Sequence, residues 1–292
     1  MSWRTVVISS RCKLEYKLGY MVIRTEETKK VFLDEIAVLM IENPAVSMTG
    51  CLIEALIEKK IKVILCDQKR NPYSEIVPYY GSYDCSRKIK TQMSWTEDMK
   101  GIVWSEIVIE KIRKQAEFLA QLKKEREATL LRSYTEEVAF HDETNREGHA
   151  AKVYFNALFG MDFTRSAGNS INSALNYGYS LILSAFNREI SANGYLTQLG
   201  LFHDNMFNYF NLSCDLMEPY RILVDRMVYA FGAEFTFDSE KKRELANVFN
   251  QVVVINHTHQ TLLNAIKIYV RSVFEALNDG DVSLINHYRY EL

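Results

Sequence analysis

Residues 95–122 read WTEDMKGIVWSEIVIEKIRKQAEFLAQL, and their spacing decides the fold class. Trp104, Ile107, Val108, Ile112, Phe118, Leu119 and Leu122 recur with the 3.6-residue period of an amphipathic helix and fall on one side of it. Such a stripe exists to be buried, so this stretch predicts a long helix that organises whatever packs around it. The period is different on the N-terminal side of Trp95.

There, the pattern is that of strands. Val6, Val7 and Ile8 form a short apolar run, and residues 13–24 alternate about Leu18-Gly19, which reads as a hairpin. Lys30-Val31-Phe32-Leu33 and residues 36–41 read as further strands, the second almost continuously apolar and so buried on both faces, with Pro44 beyond it. Residues 47–60 interrupt the strands with one helix, carrying Cys51, Leu52, Ala55 and Leu56 at helical spacing and Ser47 as its N-cap. Lys62-Val63-Ile64-Leu65-Cys66-Asp67 is a compact strand, Glu75-Ile76-Val77 is cut short by Pro78, and strand signals end near Tyr83. Beyond residue 122 helices are predicted over residues 147–158, 171–190, 207–212, 218–229, 239–249 and 262–276. A run of strands followed by a run of helices predicts an α+β chain and not an alternating βαβ fold. We expect an N-terminal β-rich domain over residues 1–92 and a larger all-α C-terminal domain over 93–292, with the transition between residues 84 and 97.

Composition narrows the function. With 292 residues, 48% of them hydrophobic, and only 4 Pro and 12 Gly, the chain has ample material for a core and no low-complexity linker. No apolar stretch approaches the roughly 18 residues of a spanning helix, and the N-terminus lacks the pattern of a secretory signal, so a cytoplasmic protein that stays off the membrane is expected. Cys12, Cys51, Cys66, Cys85 and Cys214 are scattered, with no C-x-x-C pair, which argues against a disulfide framework and a zinc ribbon. A formal net charge of −2 requires any nucleic-acid surface to be local. Its best candidate is the basic stretch of Lys111, Arg113, Lys114, Lys123, Lys124, Arg126 and Arg132; the plainer reading of the same residues is a solvated helix face laced with i,i+4 ion pairs.

Walker, Rossmann, nucleophile-elbow and H-E-x-x-H motifs are all missing, which removes the commonest nucleotide, esterase and zincin chemistries. What remains is polar residues embedded in helical segments. Asn145-Arg146-Glu147-Gly148-His149-Ala150-Ala151 opens an otherwise apolar helix with a carboxylate, Gly200-Leu201-Phe202-His203-Asp204 sets a histidine after a glycine, and Asp215 and Glu218 stand three apart, on one face of a helix. A carboxylate from one helix with a histidine and one or two carboxylates from others can bind a divalent ion between packed helices, and a mixed oxygen and nitrogen set suits Mg²⁺ or Mn²⁺ bridging to phosphate. His149 points about 200° away from Glu147 and is read as a neighbour only. Asn169, Asn172 and Asn176 are read as caps and cross-links, and Arg221 has two readings, a partner for a carboxylate or for a phosphate.

These motifs carry a resemblance. Asn145-Arg146-Glu147-Gly148-His149-Ala150-Ala151-Lys152-Val153-Tyr154-Phe155 resembles the catalytic-glutamate motif of the CRISPR-associated integrase, the large subunit of the spacer-acquisition complex. Asn172-Ser173-Ala174-Leu175-Asn176-Tyr177-Gly178-Tyr179 is similar to that family's central segment, and Gly200-Leu201-Phe202-His203 and the run from Asp215-Leu216-Met217-Glu218 to Asp225 resemble its histidine and acidic motifs in the same order. Val63-Ile64-Leu65-Cys66-Asp67 followed by Pro78-Tyr79-Tyr80-Gly81 fits as well, so the likeness runs over nearly the whole chain. Gln92-Met93-Ser94-Trp95 gives it the look of type II-A members.

The resemblance implies an N-terminal β-domain, a helical catalytic domain, and a metal triad of Glu147, His203 and Glu218 with Asp215 beside it as a further ligand candidate. In many relatives an Asp stands where this chain has Glu218. It further implies Mg²⁺ or Mn²⁺ as cofactor, double-stranded DNA fragments and CRISPR repeat DNA as partners, a homodimer, and two such dimers flanking a central dimer of a small companion subunit. The expected activity is insertion of DNA fragments into a repeat array by 3′-hydroxyl attack on a phosphodiester. Two rivals stand beside it: a helical HD-type metal-dependent phosphohydrolase built on His203-Asp204 with His149 and Asp225, and a non-catalytic DNA-binding scaffold whose acidic residues only cap helices.

Overall fold

The computed structural model describes residues 4–78 and 82–290, so Tyr79, Tyr80 and Gly81 of the expected Pro78-Tyr79-Tyr80-Gly81 motif lie outside the described residues. The N-terminal part holds two sheets built from β1 (Arg4–Ile8), β2 (Lys13–Lys17), β3 (Tyr20–Arg24), β4 (Thr28–Phe32), β5 (Ile36–Ile41), β6 (Ser47–Met48), β7 (Lys62–Cys66) and β8 (Pro72–Ile76). In one sheet, ordered β1-β5-β7-β8, the first three strands run parallel and β8 closes the edge antiparallel. The other is ordered β4-β3-β2-β6. The expected β2–β3 hairpin forms about Leu18 (φ 50°) and Gly19 (φ 83°), two left-handed residues that match the right-handed twist of the flanking strands.

β5 is buried along its whole length because it is the middle of three layers. Val38 and Met40 join the core of the helical part, whereas Leu39 and Ile41 pack with Leu14, Met21, Leu52 and Leu56 under the second sheet. One helix, α1 (Gly50–Glu58), links β5 to its parallel neighbour β7, so a βαβ crossover does sit inside the β-rich part. Its cap is Thr49, whose side chain accepts from Leu52 N, and not Ser47, which pairs with Lys13 in β6.

The helical part comprises α2 (Cys85–Met93), α3 (Glu97–Gln121), α4 (Glu125–Glu136), α5 (Arg146–Phe159), α6 (Ser170–Ala192), α7 (Asn211–Leu216), α8 (Arg221–Ala230), α9 (Ser239–Ala246) and α10 (Leu262–Asp279). The long helix predicted from residues 95–122 is α3, capped by Thr96, with Val103, Trp104, Ile107, Val108, Ile112, Phe118 and Leu119 buried. It packs against α4, α5, α8 and α10 and is the axis of the domain. The chain reverses at Lys123 (φ 60°) into α4. Helix α6 crosses α8 so closely that a Cβ on Gly178 would stand 2.3 Å from Val224 Cγ1.

Several expectations need correction. The helix expected over 207–212 begins only at Asn211, leaving Met206 to Tyr209 in a loop. Glu218 opens a single 3-10 turn, Glu218–Tyr220, ahead of α8, because Pro219 cannot extend the ladder of α7. Strands do not end at Tyr83: β9 (Val252–Ile255) and β10 (Thr258–Thr261) form a hairpin around Asn256 (φ 50°) and His257 (φ 60°). The expected cut at residues 92 and 93 falls in the last turn of α2, where buried Gln92 binds Leu196 and Leu199 carbonyls and accepts from Leu196 N. Gln92 thereby anchors the strap that leads into Gly200. No helix among the described residues is long and apolar enough to cross a membrane.

Candidate metal centre

Glu147 is the second residue of α5, and its placement is set one turn earlier. Asn145, left-handed (φ 52°), caps the helix through Gly148 N at 3.3 Å. The carboxylate of Asp142 accepts from Arg146 N (2.8 Å) and Glu147 N (3.0 Å), so the free N–H groups of the first turn are satisfied and the Glu147 side chain is left to point into the domain.

His203 is positioned from behind by Asp215. That carboxylate is fully buried and accepts four bonds: Leu201 N (2.6 Å) and Phe202 N (3.2 Å) on Oδ2, and His203 N (3.1 Å) and His203 Nδ1 (2.5 Å) on Oδ1. Asp215 therefore wraps the 201–203 backbone around itself, fixes Nδ1 as the protonated nitrogen and leaves Nε2 to face outward. All four of its bonds go to the 201–203 segment, so in this arrangement Asp215 serves to orient His203. The bond to Asp215 also raises the His203 pKa against the opposing effect of burial. Gly200 is required here, since a Cβ would lie 2.3 Å from His203 O and 2.8 Å from Asp215 Oδ2. Trp104 of α3 completes the wall, stacking on Phe202 (4.6 Å between centroids) and meeting His203 edge-on at 5.9 Å.

Glu218 is buried, with Oε1 on Arg221 Nη2 (2.8 Å) and Oε2 on Lys111 Nζ (2.5 Å). The same ammonium bonds Glu147 Oε1. Two carboxylates from separate elements thus converge on one cationic atom supplied by α3. Burial works against the charge of Lys111, but Glu218 and Glu147 outweigh it and its pKa is raised; Lys111 in turn holds the Glu147 carboxyl below the usual range. His203 faces this pair closely enough that both carboxylates act on its charge.

Among the described residues no three His, Cys, Asp or Glu side chains already stand as a complete ligand set. The donors nonetheless fit a hard divalent ion: Glu147 and Glu218 already meet on one cation, and the imidazole beside them has its Nδ1 anchored and its Nε2 free.

The basic stretch does not form one surface. Lys111 is buried in the centre, and Lys114 is buried with Nζ on Glu110 (2.9 Å) and on the Tyr288 carbonyl (2.5 Å), because both fall on the apolar side of α3. Arg113 is exposed and paired with Glu110, Lys123 and Arg126 are exposed, and Lys124 is half-buried. Of the two readings of Arg221, the carboxylate is the one observed. His149 and Asp204 are exposed, and Asp225 is buried with Tyr154 and Tyr179 donating to it, so the pieces of the HD arrangement are scattered. Asn169 caps α6, and Asn172 and Asn176 hold Arg165 as cross-links.

Three features were missed in whole or in part by the sequence reading, which took Lys111 only as a surface cation. Lys111 had a signal: Trp104, Val108, Lys111 and Gln115 follow helical spacing, which puts a lysine on the buried stripe. Asp142 had a weaker one as an acid just ahead of α5. The third is the loop after His203, where Met206, Phe207 and Tyr209 are 85%, 83% and 70% exposed. It is held rigidly by Asn205, Asn208 and Asn211, whose side chains bond its own backbone, and by Thr197 on the Tyr209 carbonyl.

Comparison with known proteins identifies the family. The family model described as CRISPR associated protein Cas1 matches residues 5–267. A CRISPR-associated endonuclease Cas1 from Neisseria meningitidis serogroup C (strain 8013) is 32% identical over 304 residues, covering 100% of both chains. In structure, the chain resembles part of a Cas6-RT-Cas1–Cas2 complex, with a TM-score of 0.73 at 17% identity over 97% of this chain and 36% of that one. It also resembles a casposase bound to integration product, with a TM-score of 0.73 at 20% identity over 97% and 93% of the two chains. A family match spanning nearly the whole sequence, with a full-length relative of this identity, shows that the chain belongs to the CRISPR associated protein Cas1 family.

Proposed function

We propose that the chain is a metal-dependent DNA integrase and endonuclease that inserts DNA fragments into a CRISPR repeat array. The observation that carries this reading is the convergence of Glu147 and Glu218 on one cation, with His203 presented beside them by Asp215. A bound Mg²⁺ or Mn²⁺ supplies Lewis-acid stabilisation of charge on the phosphoryl and bridging oxygens. Glu147, His203 and Glu218 would hold it, while Asp215 keeps the imidazole in the tautomer that offers Nε2 and Arg221 fixes the far oxygen of Glu218. The 3′-hydroxyl of the fragment gives up its proton as its oxygen bonds to the repeat phosphorus, and the old 3′-oxygen leaves and takes up a proton, so one phosphodiester replaces another and no nucleotide triphosphate is consumed.

DNA reaches the centre across the rigid aromatic loop of Phe207 and Tyr209, whose faces suit unstacked bases, while Arg113, Lys123, Lys124 and Arg126 hold backbone farther along α3 and α4. Two ends must be joined and each chain carries one such centre, which supports a homodimer with a Cas2-like companion between two dimers; a Cas2 accompanies Cas1 in the similar complex. The exposed Leu18, Tyr16, Tyr20 and Phe32 on the second sheet fit the dimer or companion interface. DNA as substrate puts its work in the cytoplasm.

The test is strand transfer of a labelled fragment into repeat DNA by the purified chain with its companion. Glu147→Gln, His203→Ala and Glu218→Gln are each expected to lower the rate at least about 100-fold, with circular dichroism unchanged. Wild-type rates in all three would overturn the assignment.

A further inference from the structure

The ammonium of Lys111 stands between two of the carboxylates assigned above to the metal. It bonds Glu147 Oε1 and lies 2.5 Å from Glu218 Oε2. A divalent ion bridging those two oxygens would sit about 2.0–2.2 Å from each, so ion and ammonium exclude one another. Glu218 cannot easily swing aside, because Arg221 holds its other oxygen at 2.8 Å. An ion bridging those two oxygens would therefore require Lys111 to move.

A place for it exists. Beside Glu218 is a cavity of about 40 Å³ lined also by Lys111, Gln115, Tyr179, Arg221 and Asp225 among others. That is more than the roughly 10–15 Å³ one water requires and takes an ammonium group. Gln115 stands one helical turn beyond Lys111 on α3, is buried, and has an Oε1 with no hydrogen-bond partner. An orphaned buried acceptor one turn from a buried donor, with a cavity between them, is a second seat for that donor. The carboxylate of Asp225 in the same cavity favours a cation there, and Arg165 and Arg221 on its wall oppose it.

We propose that Lys111 is a two-position residue: without metal it bridges Glu147 and Glu218 as a tethered cation, and on metal binding it withdraws to Gln115. The inference rests on the metal assignment above. In the first position it keeps the buried carboxylate of Glu218 and the half-buried one of Glu147 assembled, which would otherwise repel. Its competition weakens metal binding and makes occupancy reversible, and its withdrawal leaves the cation side of the pair open to metal and DNA. Lys111 is thus a positioning residue that acts through its two glutamates.

Mn²⁺ binding to the full-length chain, without DNA, measured by electron paramagnetic resonance of free Mn²⁺, tests this. Lys111→Met keeps the helix and the aliphatic stem, and is expected to tighten Mn²⁺ binding at least tenfold and to gain more in melting temperature on Mn²⁺ addition than wild type. Gln115→Leu leaves the Lys111 bridge intact but removes the second seat, and is expected to weaken Mn²⁺ binding severalfold. Should Lys111→Met fold poorly without metal, the Gln115→Leu result decides alone. Equal or weaker Mn²⁺ binding by a folded Lys111→Met, or unchanged binding by Gln115→Leu, would overturn the proposal. The double variant Glu147→Gln, Glu218→Gln separates the two readings: Mn²⁺ binding that survives it removes the metal assignment itself, whatever Lys111 does.

Discussion

Asp215→Asn changes no shape and one charge, and the surroundings of Asp215 allow its cost to be worked out. The carboxylate accepts two bonds on each oxygen, from Leu201 N and Phe202 N on one and from His203 N and Nδ1 on the other. Asparagine keeps a single acceptor oxygen, so whichever way the amide turns, two donors face its NH₂ group. Two charge-assisted bonds at about 1.5–3 kcal/mol each are lost, for a destabilisation of roughly 3–6 kcal/mol. At about 2–3 °C per kcal/mol for a chain of this size, the melting temperature falls by roughly 6–18 °C. The imidazole also loses the partner that orients it, and metal affinity drops by about 10–100-fold. Because Asp215 raises the His203 pKa, the share of the stability difference due to the charged imidazole is fully present below the unfolded histidine pKa. It fades as pH rises through the raised folded value. Thermal unfolding at several pH values and Mn²⁺ titration read all three effects. A variant with wild-type melting temperature and wild-type metal affinity would refute the role given to Asp215.

Gly200→Ala must push a Cβ into His203 O at 2.3 Å, so strand transfer should fall at least tenfold and melting temperature should drop together with it; a wild-type rate would show that the 200–203 backbone has room. Burial lifts the Asp225 pKa from 3.8 to about 6 against the hydrogen bonds of Tyr179 and Tyr154. The stability this group contributes is present below about pH 4 and lost as pH rises through about 6, a change of roughly 3 kcal/mol, so Asp225→Asn should gain that much relative to wild type between pH 4 and 7 in urea unfolding. On the basic surface, replacing Lys123 or Arg126 by Gln should lower the slope of log affinity against log salt by about one for each DNA phosphate no longer neutralised, and should leave melting temperature unchanged.

Where periodicity is long, the fold was legible: α3, α5, α6 and α10 each carry a buried stripe over several turns, and β5 announced its two-sided burial by being apolar throughout. Short polar elements were not. Helix α2 is mostly basic and polar, with Gln92 as its buried residue, so no stripe marks it. The β9–β10 hairpin turns on Asn256-His257, a left-handed pair without glycine, and was hidden between helical stretches. Among the site residues, Glu147, His203 and Glu218 were picked from motif order; the structure joins Glu147 and Glu218 through Lys111 and sets His203 on Asp215. The division of labour among them was not legible, because it depends on partners distant in sequence. Asp215 reaches back 12 residues to hold His203, and Lys111 reaches 36 and 107 residues forward to its two glutamates.

The central claim is that Glu147, His203 and Glu218 meet on one divalent cation. Anomalous diffraction at the manganese edge, from crystals grown with Mn²⁺, tests it most directly. The account predicts one peak within about 2.0–2.4 Å of a Glu147 oxygen, a Glu218 oxygen and His203 Nε2, with Asp215 on His203 Nδ1 and outside ligand distance. A peak bound elsewhere, or one held by Asp215 with His203 turned away, would contradict it.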